Sequence, residues 1–347
     1  MSRLADRRFI VRTAVSLGLL GFLVWRVDLR DAAQALRHAD YIFVVPALAV
    51  FGLGKLLVGV RWRLMMSMFA RLPLAPLVGI LFVSNLANNV LPARLGDLIR
   101  VQVPAQRYGI PRARLAATVF ATESLLDGVA FAGIGLVGLA LIDLQGFPTE
   151  VFWGLFGLMV GGVVAVIPIS HLQLREGWEC RGLLARLPHR AQHALEQAVP
   201  HFIDGLAVFR DARLGLQALA LSLAIWLLEV AVFALFGRAF GVTLSMPAWM
   251  LIMVAANLIS AVPVAPSNIG AYEVALAELM QALGVTEGTA GGFAIATHVL
   301  NICWITVAGV VAMFALRMGF DDVFSFGQKE REEESEMPQP TRAVEPG

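Results

Sequence analysis

The chain has few charged residues and almost no cysteine. Of its 347 residues only 15% are charged, whereas 58% are hydrophobic and the mean hydropathy is +0.73. Soluble domains carry more charge, so this composition excludes a soluble globular protein and predicts a membrane protein. Cys180 and Cys303 lie far apart in sequence, so no disulfide framework and no metal site is expected.

Sequence motifs of several enzyme classes are also missing. The chain has no G-x-x-x-x-G-K-[ST] phosphate loop, no G-x-S-x-G elbow, no H-E-x-x-H and no paired C-x-x-C. Basic residues alternate with apolar segments instead of forming a groove with aromatic residues, which gives nucleic-acid binding no support. We therefore expect no ATP hydrolysis, no cofactor and no nucleic-acid partner.

Two apolar segments are interrupted by the same pattern of a proline, three residues, a glycine and a following acid. The first copy has Pro92, Gly96 and Asp97, and the second has Pro266 and Gly270 followed by Glu273. Proline removes a backbone donor and glycine permits tight bending, so each break frees backbone groups at membrane depth. Paired breaks in corresponding halves indicate a substrate site built from discontinuous helices.

Apolar runs long enough to cross about 30 Å of hydrocarbon predict six full spans. These lie near residues 9–26, 41–60, 115–142, 150–170, 213–240 and 289–317. Two further stretches, 74–91 and 244–264, lead into the breaks, and each is either another span or one arm of a re-entrant hairpin. Hairpins are favoured because only they keep most arginines on one, cytoplasmic, side.

The predicted fold class is therefore an all-α polytopic membrane protein with six full transmembrane helices and two re-entrant hairpins. Both termini are expected in the cytoplasm. The hairpins would belong to an inverted repeat that covers about residues 74–170 and 244–317. In this repeat Glu123 lies fourteen residues after the glycine of Tyr108-Gly109-Ile110, and His298 lies fourteen after that of Leu283-Gly284-Val285.

Residues 1–317 are expected to form one integral membrane domain, with a cytoplasmic loop at 171–212 and a disordered polar tail at 318–347. Within the loop, apolar residues recur at helical spacing: Leu195, Val199, Phe202, Leu206 and Phe209. This stripe indicates an amphipathic helix that either lies on the headgroup layer or packs under the bundle.

Ionisable residues inside apolar segments are candidates for function, because burying charge in a bilayer is costly. Glu229 stands near the middle of its span. Glu123 and Asp127 share one helical face, and we expect them to form a charge network with Arg100 or Arg94. Arg94 and Arg100 beside the first break suit a phosphate group, although contact with bulk lipid phosphates would also explain them.

Other polar residues have more ordinary interpretations. Lys55 near the end of its span is expected to snorkel towards the headgroups. Glu273 is expected to bond helix-start N–H groups or pair with an arginine. His298 is expected to make interhelical hydrogen bonds, and a proton relay is the alternative. No catalytic or metal-binding residue is predicted, and the predicted substrate-binding set is Asn88, Pro92, Arg94, Gly96, Asp97, Arg100, Glu123, Asp127, Glu229, Pro266, Ser267, Gly270, Glu273 and His298.

The segment from Asn88 to Arg100 resembles the lysylphosphatidylglycerol synthase transmembrane region family, also described as flippase-like. Arg61-Trp62-Arg63-Leu64 and the segment from Pro266 to Glu273 resemble it too, and the similarity spans roughly residues 9 to 317. The resemblance implies an integral domain of a bacterial or archaeal cytoplasmic membrane. The family pattern usually has Glu after the motif glycine, where this chain has Asp97.

Some members of that family translocate aminoacylated phosphatidylglycerol across the inner membrane. Members that also synthesise this lipid carry a soluble aminoacyltransferase domain after the membrane part, and synthesis is not expected of this chain. The leading hypothesis is a lipid translocase with a midplane cavity lined by both broken segments, and an anionic or aminoacylated phospholipid or another lipid as its partner. The alternatives are a membrane-embedded lipid-modifying transferase and a non-transporting scaffold for an envelope enzyme. A homo-oligomer is also compatible with the sequence.

Overall fold

The computed structural model describes residues 37–90, 96–142, 149–172, 189–261 and 268–318, and the regular structure in these ranges is helical. The predicted span near 9–26 and the tail after residue 318 lie outside them. We number the helices α1 (Val44–Met66), α2 (Leu74–Val90), α3 (Asp97–Tyr108), α4 (Arg112–Leu141), α5 (Thr149–Ser170), α6 (His189–Gly205), α7 (Ala212–Ala239), α8 (Met246–Ala261), α9 (Ala271–Ala282) and α10 (Glu287–Leu316).

Four helices of the described part are long and apolar enough to cross a membrane. They are α1 with the turn before it, α4, α7 and α10, which match four of the predicted spans. Shorter apolar helices cover Leu74–Asn89, Phe156–Ser170 and Met246–Ser260. The chain is thus a multi-pass helical membrane protein. Helix α1 continues to Met66, beyond the predicted end at 60, and this places Arg61 inside the helix.

The described parts of the two helices that lead into the breaks are shorter than the hydrocarbon core of a bilayer. Helix α2 has 17 residues and α8 has 16, which correspond to about 26 and 24 Å at 1.5 Å per residue. The hydrocarbon core is about 30 Å thick. Each short helix is followed, after its break, by a helix of 12 residues, α3 or α9.

The same succession of helices occurs twice along the chain. Helices α1 to α4 contain 23, 17, 12 and 30 residues, and α7 to α10 contain 28, 16, 12 and 30. The packing also corresponds, because α2 packs on α10 of the other succession and α8 packs on α4, while α1 and α7 pack on each other. Helices α5 and α6 lie between the two successions in sequence.

Helix α4 contains a widened turn where it passes the first break. From Phe120 to Leu126 it is a π-helix, and the Asp127 N–H donates to the carbonyl of Thr122, five residues earlier. A π segment inside an α-helix disturbs the regular side-chain spacing and is frequent at functional sites. Here it carries Glu123 and ends immediately before Asp127.

The amphipathic helix α6 packs against the N-terminal part of α4. A Cβ atom on Gly205 would lie 2.3 Å from the carbonyl oxygen of Arg114 and 2.6 Å from the Cβ atom of Ala117, so the two helices approach closely there. Arg114 Nη2 also pairs with Asp204 Oδ2 at 2.9 Å. Of the two interpretations of the 171–212 loop, these contacts support the helix packed on the bundle.

Close crossings between the two successions generate a prediction about stability. A Cβ atom at Gly309 of α10 would lie 2.6 Å from the Cβ atom of Leu86 and 3.0 Å from the carbonyl oxygen of Phe82, both on α2. Overpacking of this kind typically costs about 1–3 kcal/mol. We therefore expect Gly309→Ala to lower the melting temperature in detergent, although alanine favours a helix intrinsically by about 1 kcal/mol.

Gly161→Ala is the matched control, because its Cβ atom would meet nothing within 4 Å. This control should melt at the wild-type temperature or above it. Equal melting temperatures for the Gly309 and Gly161 variants would show that α2 and α10 do not cross as described.

A charged cavity beside the first break

A cavity of about 350 Å³ lies between α1, α2, α3, α4, α7 and α8. Its volume falls in the range of small-molecule binding sites, about 300–1,000 Å³. Seven ionisable side chains line it, which is unusual for apolar helices. The bases are Lys55, Arg61 and Arg100, and the acids are Asp97, Glu123, Asp127 and Glu229.

Arg61 joins three helices at the cavity. Its side chain is 2% exposed, and both of its terminal nitrogens donate to the carboxylate of Asp127 on α4, with Nη2 to Oδ2 at 2.9 Å. Nη1 also donates to the hydroxyl of Ser222 on α7. A bidentate arginine–carboxylate pair fixes geometry as well as charge, so this contact holds α1, α4 and α7 in register.

Arg100 is also buried, but its hydrogen bonds are only partly satisfied. The residue is 5% exposed, its Nη1 pairs with Glu123 Oε1, and its guanidinium lies 5.3 Å from the ring centre of Trp62. Its Nε and Nη2 atoms are buried without a hydrogen-bond partner among the described residues. Arg100 thus lines the cavity with a guanidinium group whose hydrogen bonds to the described protein are incomplete.

The first break holds α3 against α2 at the edge of this cavity. Asn88 Nδ2 donates to Asp97 Oδ1 at 2.8 Å across the break. A Cβ atom at Gly96 would lie 2.2 Å from the carbonyl oxygen of Ser84 and 2.5 Å from Asn88 Oδ1, so only glycine fits there. Asn88 and Gly96 thus position the start of α3, whereas Asp97 itself lines the cavity.

Lys55 and Glu229 line the same cavity from α1 and α7. The Lys55 Nζ atom lies 4.8 Å from the ring centre of Phe51. The snorkelling of Lys55 towards the headgroups stays a prediction, and the structure adds that the residue lines a cavity that contains carboxylates. Glu229 lies where its mid-span position predicted, inside the helical bundle.

The residues after the second break form a separate buried cluster. Glu273 Oε2 accepts from the backbone N–H of Gly270 at 2.7 Å, and Glu273 Oε1 lies 2.7 Å from His298 Nδ1. Tyr272 stacks on His298 with ring centres 4.3 Å apart. The predicted helix-start bond of Glu273 and the predicted interhelical bond of His298 are both confirmed. Histidine, however, takes the place of the expected arginine as the partner of Glu273.

This cluster does not line the charged cavity. Among the described residues, the part of the chain around the second break contributes Asn257 and Leu258 of α8 to the cavity, whereas Gly270, Glu273 and His298 do not line it. Pro92, Arg94, Pro266 and Ser267 are outside the described residues.

Besides Lys55, four cavity residues with polar groups are absent from the predicted set: Arg61, Asn85, Trp226 and Asn257. Arg61 was counted among loop arginines because the apolar run weakens at residue 60. Asn257 is a polar residue within the apolar stretch 244–264, which is a usable signal. Trp226 has no such signal, because a tryptophan in an apolar helix usually packs against lipid or core.

Fold and site together define a multi-pass helical membrane protein with a charged cavity between two corresponding successions of helices. The chain belongs to the lysylphosphatidylglycerol synthase transmembrane region family, which it matches over residues 9–309. This finding confirms the resemblance seen in the motifs.

Relatives of the chain include archaeal membrane proteins. It is 26% identical to the UPF0104 membrane protein of Methanothermobacter thermautotrophicus, over 92% of this chain and 97% of that protein. A second UPF0104 membrane protein of that organism is 21% identical, over 88% and 93%. It is also 26% identical to the glycosyltransferase AglD of Haloferax volcanii over 92% of this chain, but the match spans only 56% of AglD.

The Arg61–Asp127 pair generates a prediction that a double-mutant cycle can test. Arg61→Met leaves the Asp127 carboxylate, 13% exposed, without its cation, and breaking a buried pair in this way costs about 3–5 kcal/mol. Arg61→Met and Asp127→Leu together remove both charges, so the double variant should be more stable than either single variant. Thermal unfolding in detergent measures all three.

Arg63→Met is the control, because Arg63 lies on the same helix but is exposed. It should unfold close to the wild-type temperature. Additive effects of the Arg61 and Asp127 substitutions would rule out the pair.

Proposed function

We propose that this protein is a lipid translocase of the cytoplasmic membrane, and that the headgroup of a phospholipid or related lipid enters the charged cavity. The observation that carries the proposal is the charged cavity itself, which Arg100 lines with a guanidinium group paired to the carboxylate of Glu123. Phosphate oxygens are the acceptors that an arginine of this kind binds best. Arg94, outside the described residues, remains a predicted second phosphate ligand.

The balance of charge favours a headgroup that carries an amine as well as a phosphate. Three basic side chains face four acidic ones in the cavity, so a purely anionic group would meet more repulsion than attraction. A headgroup with a cationic amine places that amine near carboxylates such as Glu229 while its phosphate contacts Arg100. Aminoacylated phospholipids have this combination of charges.

The recurrence of the helices supports alternating access. We place the repeats at residues 41–141 and 212–316, in place of the predicted 74–170 and 244–317, because α1 and α7 correspond as well as the later helices. In this proposal α2–α3 and α8–α9 are the re-entrant hairpins, both termini are cytoplasmic, and one repeat rocks against the other. In this proposal the residues beside the first break line a cavity, whereas Glu273 and His298 at the second break bind each other. Such a difference between the two repeats is expected if the protein is in one of two alternating states.

A second candidate function is a membrane-embedded transferase that uses a cavity carboxylate as general base. The observation in its favour is the name of one relative, the glycosyltransferase AglD. The match spans only 56% of AglD. The name of this relative is therefore weaker support for a function than the charged cavity is.

The proposal predicts that cavity substitutions slow lipid transfer. The assay follows fluorescent phosphatidylglycerol, or its lysyl derivative, as it moves from the inner to the outer leaflet of liposomes, where an added quencher reaches it. Purified protein in the liposomes should accelerate this quenching. Arg100→Gln and Glu229→Gln should each slow this by at least about tenfold, since a hydrogen bond to a charged group contributes about 1.5–3 kcal/mol.

Arg107→Gln is the matched control, because Arg107 lies on the same short helix as Arg100 but is exposed and does not line the cavity. It should transfer lipid at the wild-type rate. No acceleration over empty liposomes for any tested lipid would overturn the translocase proposal. Turnover of a sugar donor by the same preparation would favour the transferase.

A further inference from the structure

A second, wholly apolar groove of about 310 Å³ lies between α4, α7 and α8. Helix α4 contributes Val129, Gly133 and Val137, which are spaced by four residues, and α7 contributes Leu219, Leu223 and Leu227 with the same spacing. Residues four apart lie on one side of a helix. On α4 and on α7 the groove is therefore lined by residues that follow one another along one side of the helix.

The groove adjoins the charged cavity. On α7, Ile225, Trp226 and Glu229 line the cavity, while the neighbouring face with Leu223 and Leu227 lines the groove. On α4, Asp127 and Phe131 line the cavity, whereas the groove extends from Ala130 round to Val129 and Gly133 on the side of the helix away from Phe131. The two compartments thus share two helices.

An aromatic pair stands where the compartments meet. The rings of Phe131 and Trp226 contact edge to face, with centres 5.1 Å apart, and their chain neighbours Ala130 and Leu227 line the groove. The Nε1 atom of Trp226 is buried and has no hydrogen-bond partner among the described residues. A tryptophan with one apolar and one polar end suits the boundary between a headgroup and hydrocarbon.

We propose that the groove is an acyl-chain site, which holds one chain of the lipid whose headgroup occupies the charged cavity. The chain lies against Leu223, Leu227 and Gly133, and the Trp226 indole N–H donates to an ester carbonyl where chain and headgroup join. The inference rests on the proposed function because it takes a lipid as the ligand, but it concerns binding and does not require that the lipid be moved.

Photolabelling tests this site directly. The purified protein in lipid nanodiscs receives a lysyl-phosphatidylglycerol or phosphatidylglycerol probe with a diazirine in the middle of one acyl chain, and labelled residues are mapped by mass spectrometry. Groove residues of α4 and α7 should be labelled several-fold more than the exposed α10 residues Val307, Val311 and Phe314. Unlabelled lipid with the same headgroup should compete, whereas diacylglycerol should not.

Two variants separate the groove from the cavity. Leu223→Trp fills the groove and should reduce its labelling several-fold, whereas Val311→Trp, on the exposed face of α10, should not. Arg100→Gln should also reduce groove labelling, because it removes an anchor for the headgroup. Each variant is first compared with wild type in thermal unfolding, so that only folded variants are interpreted.

The outcomes distinguish this inference from the proposed function. Headgroup-dependent labelling of the groove without measurable transfer would support the acyl-chain site and overturn the translocase. Transfer together with equal labelling of the groove and α10 would support the translocase and overturn the acyl-chain site, since the groove would then contact only bulk lipid. Labelling that diacylglycerol competes as well would likewise overturn it.

Discussion

The guanidinium group of Arg61 is buried between apolar helices, where Asp127 and Ser222 bind it from two other helices. An uncompensated charge in such a place costs several kcal/mol, and this cost constrains where α1, α4 and α7 lie relative to one another. Those three helices are among the six that line the cavity. The position of the polar side chains that line the cavity therefore depends on the contact of Arg61 with Asp127 and Ser222.

Arg61 and Arg100 differ in how completely their hydrogen bonds are satisfied. Arg61 uses both terminal nitrogens on protein acceptors and has its Nε atom without a partner among the described residues, whereas Arg100 has one carboxylate partner and two buried nitrogens, Nε and Nη2, without one. A half-satisfied buried network is less stable than a complete one. At the second break, by contrast, both carboxylate oxygens of Glu273 have a partner.

The sequence predicted those parts of the site that local pattern encodes. Glu229 stood out because it interrupts an apolar span, and Glu123 was expected near Arg100 from helical spacing and proximity to the break. Arg61 was not found, because its partner Asp127 is 66 residues away and the helix end was placed too early by hydropathy. The number of spans was only partly confirmed, since hydropathy gives length but not whether a short helix turns back. The apolar groove had no signal, because it depends on how three helices pack.

The charged cavity and the apolar groove together suit a lipid, which has both a polar headgroup and apolar acyl chains. Moving a headgroup through hydrocarbon is costly, whereas its acyl chains are already in a favourable environment and gain nothing from leaving it. A polar cavity closed on all sides would require the chains to enter it as well. A cavity beside an apolar groove lets the headgroup exchange water for Arg100 and its neighbouring carboxylates while the chain remains among leucines. If the groove guides a chain in this way, the free energy that protein contacts must supply is limited to the headgroup.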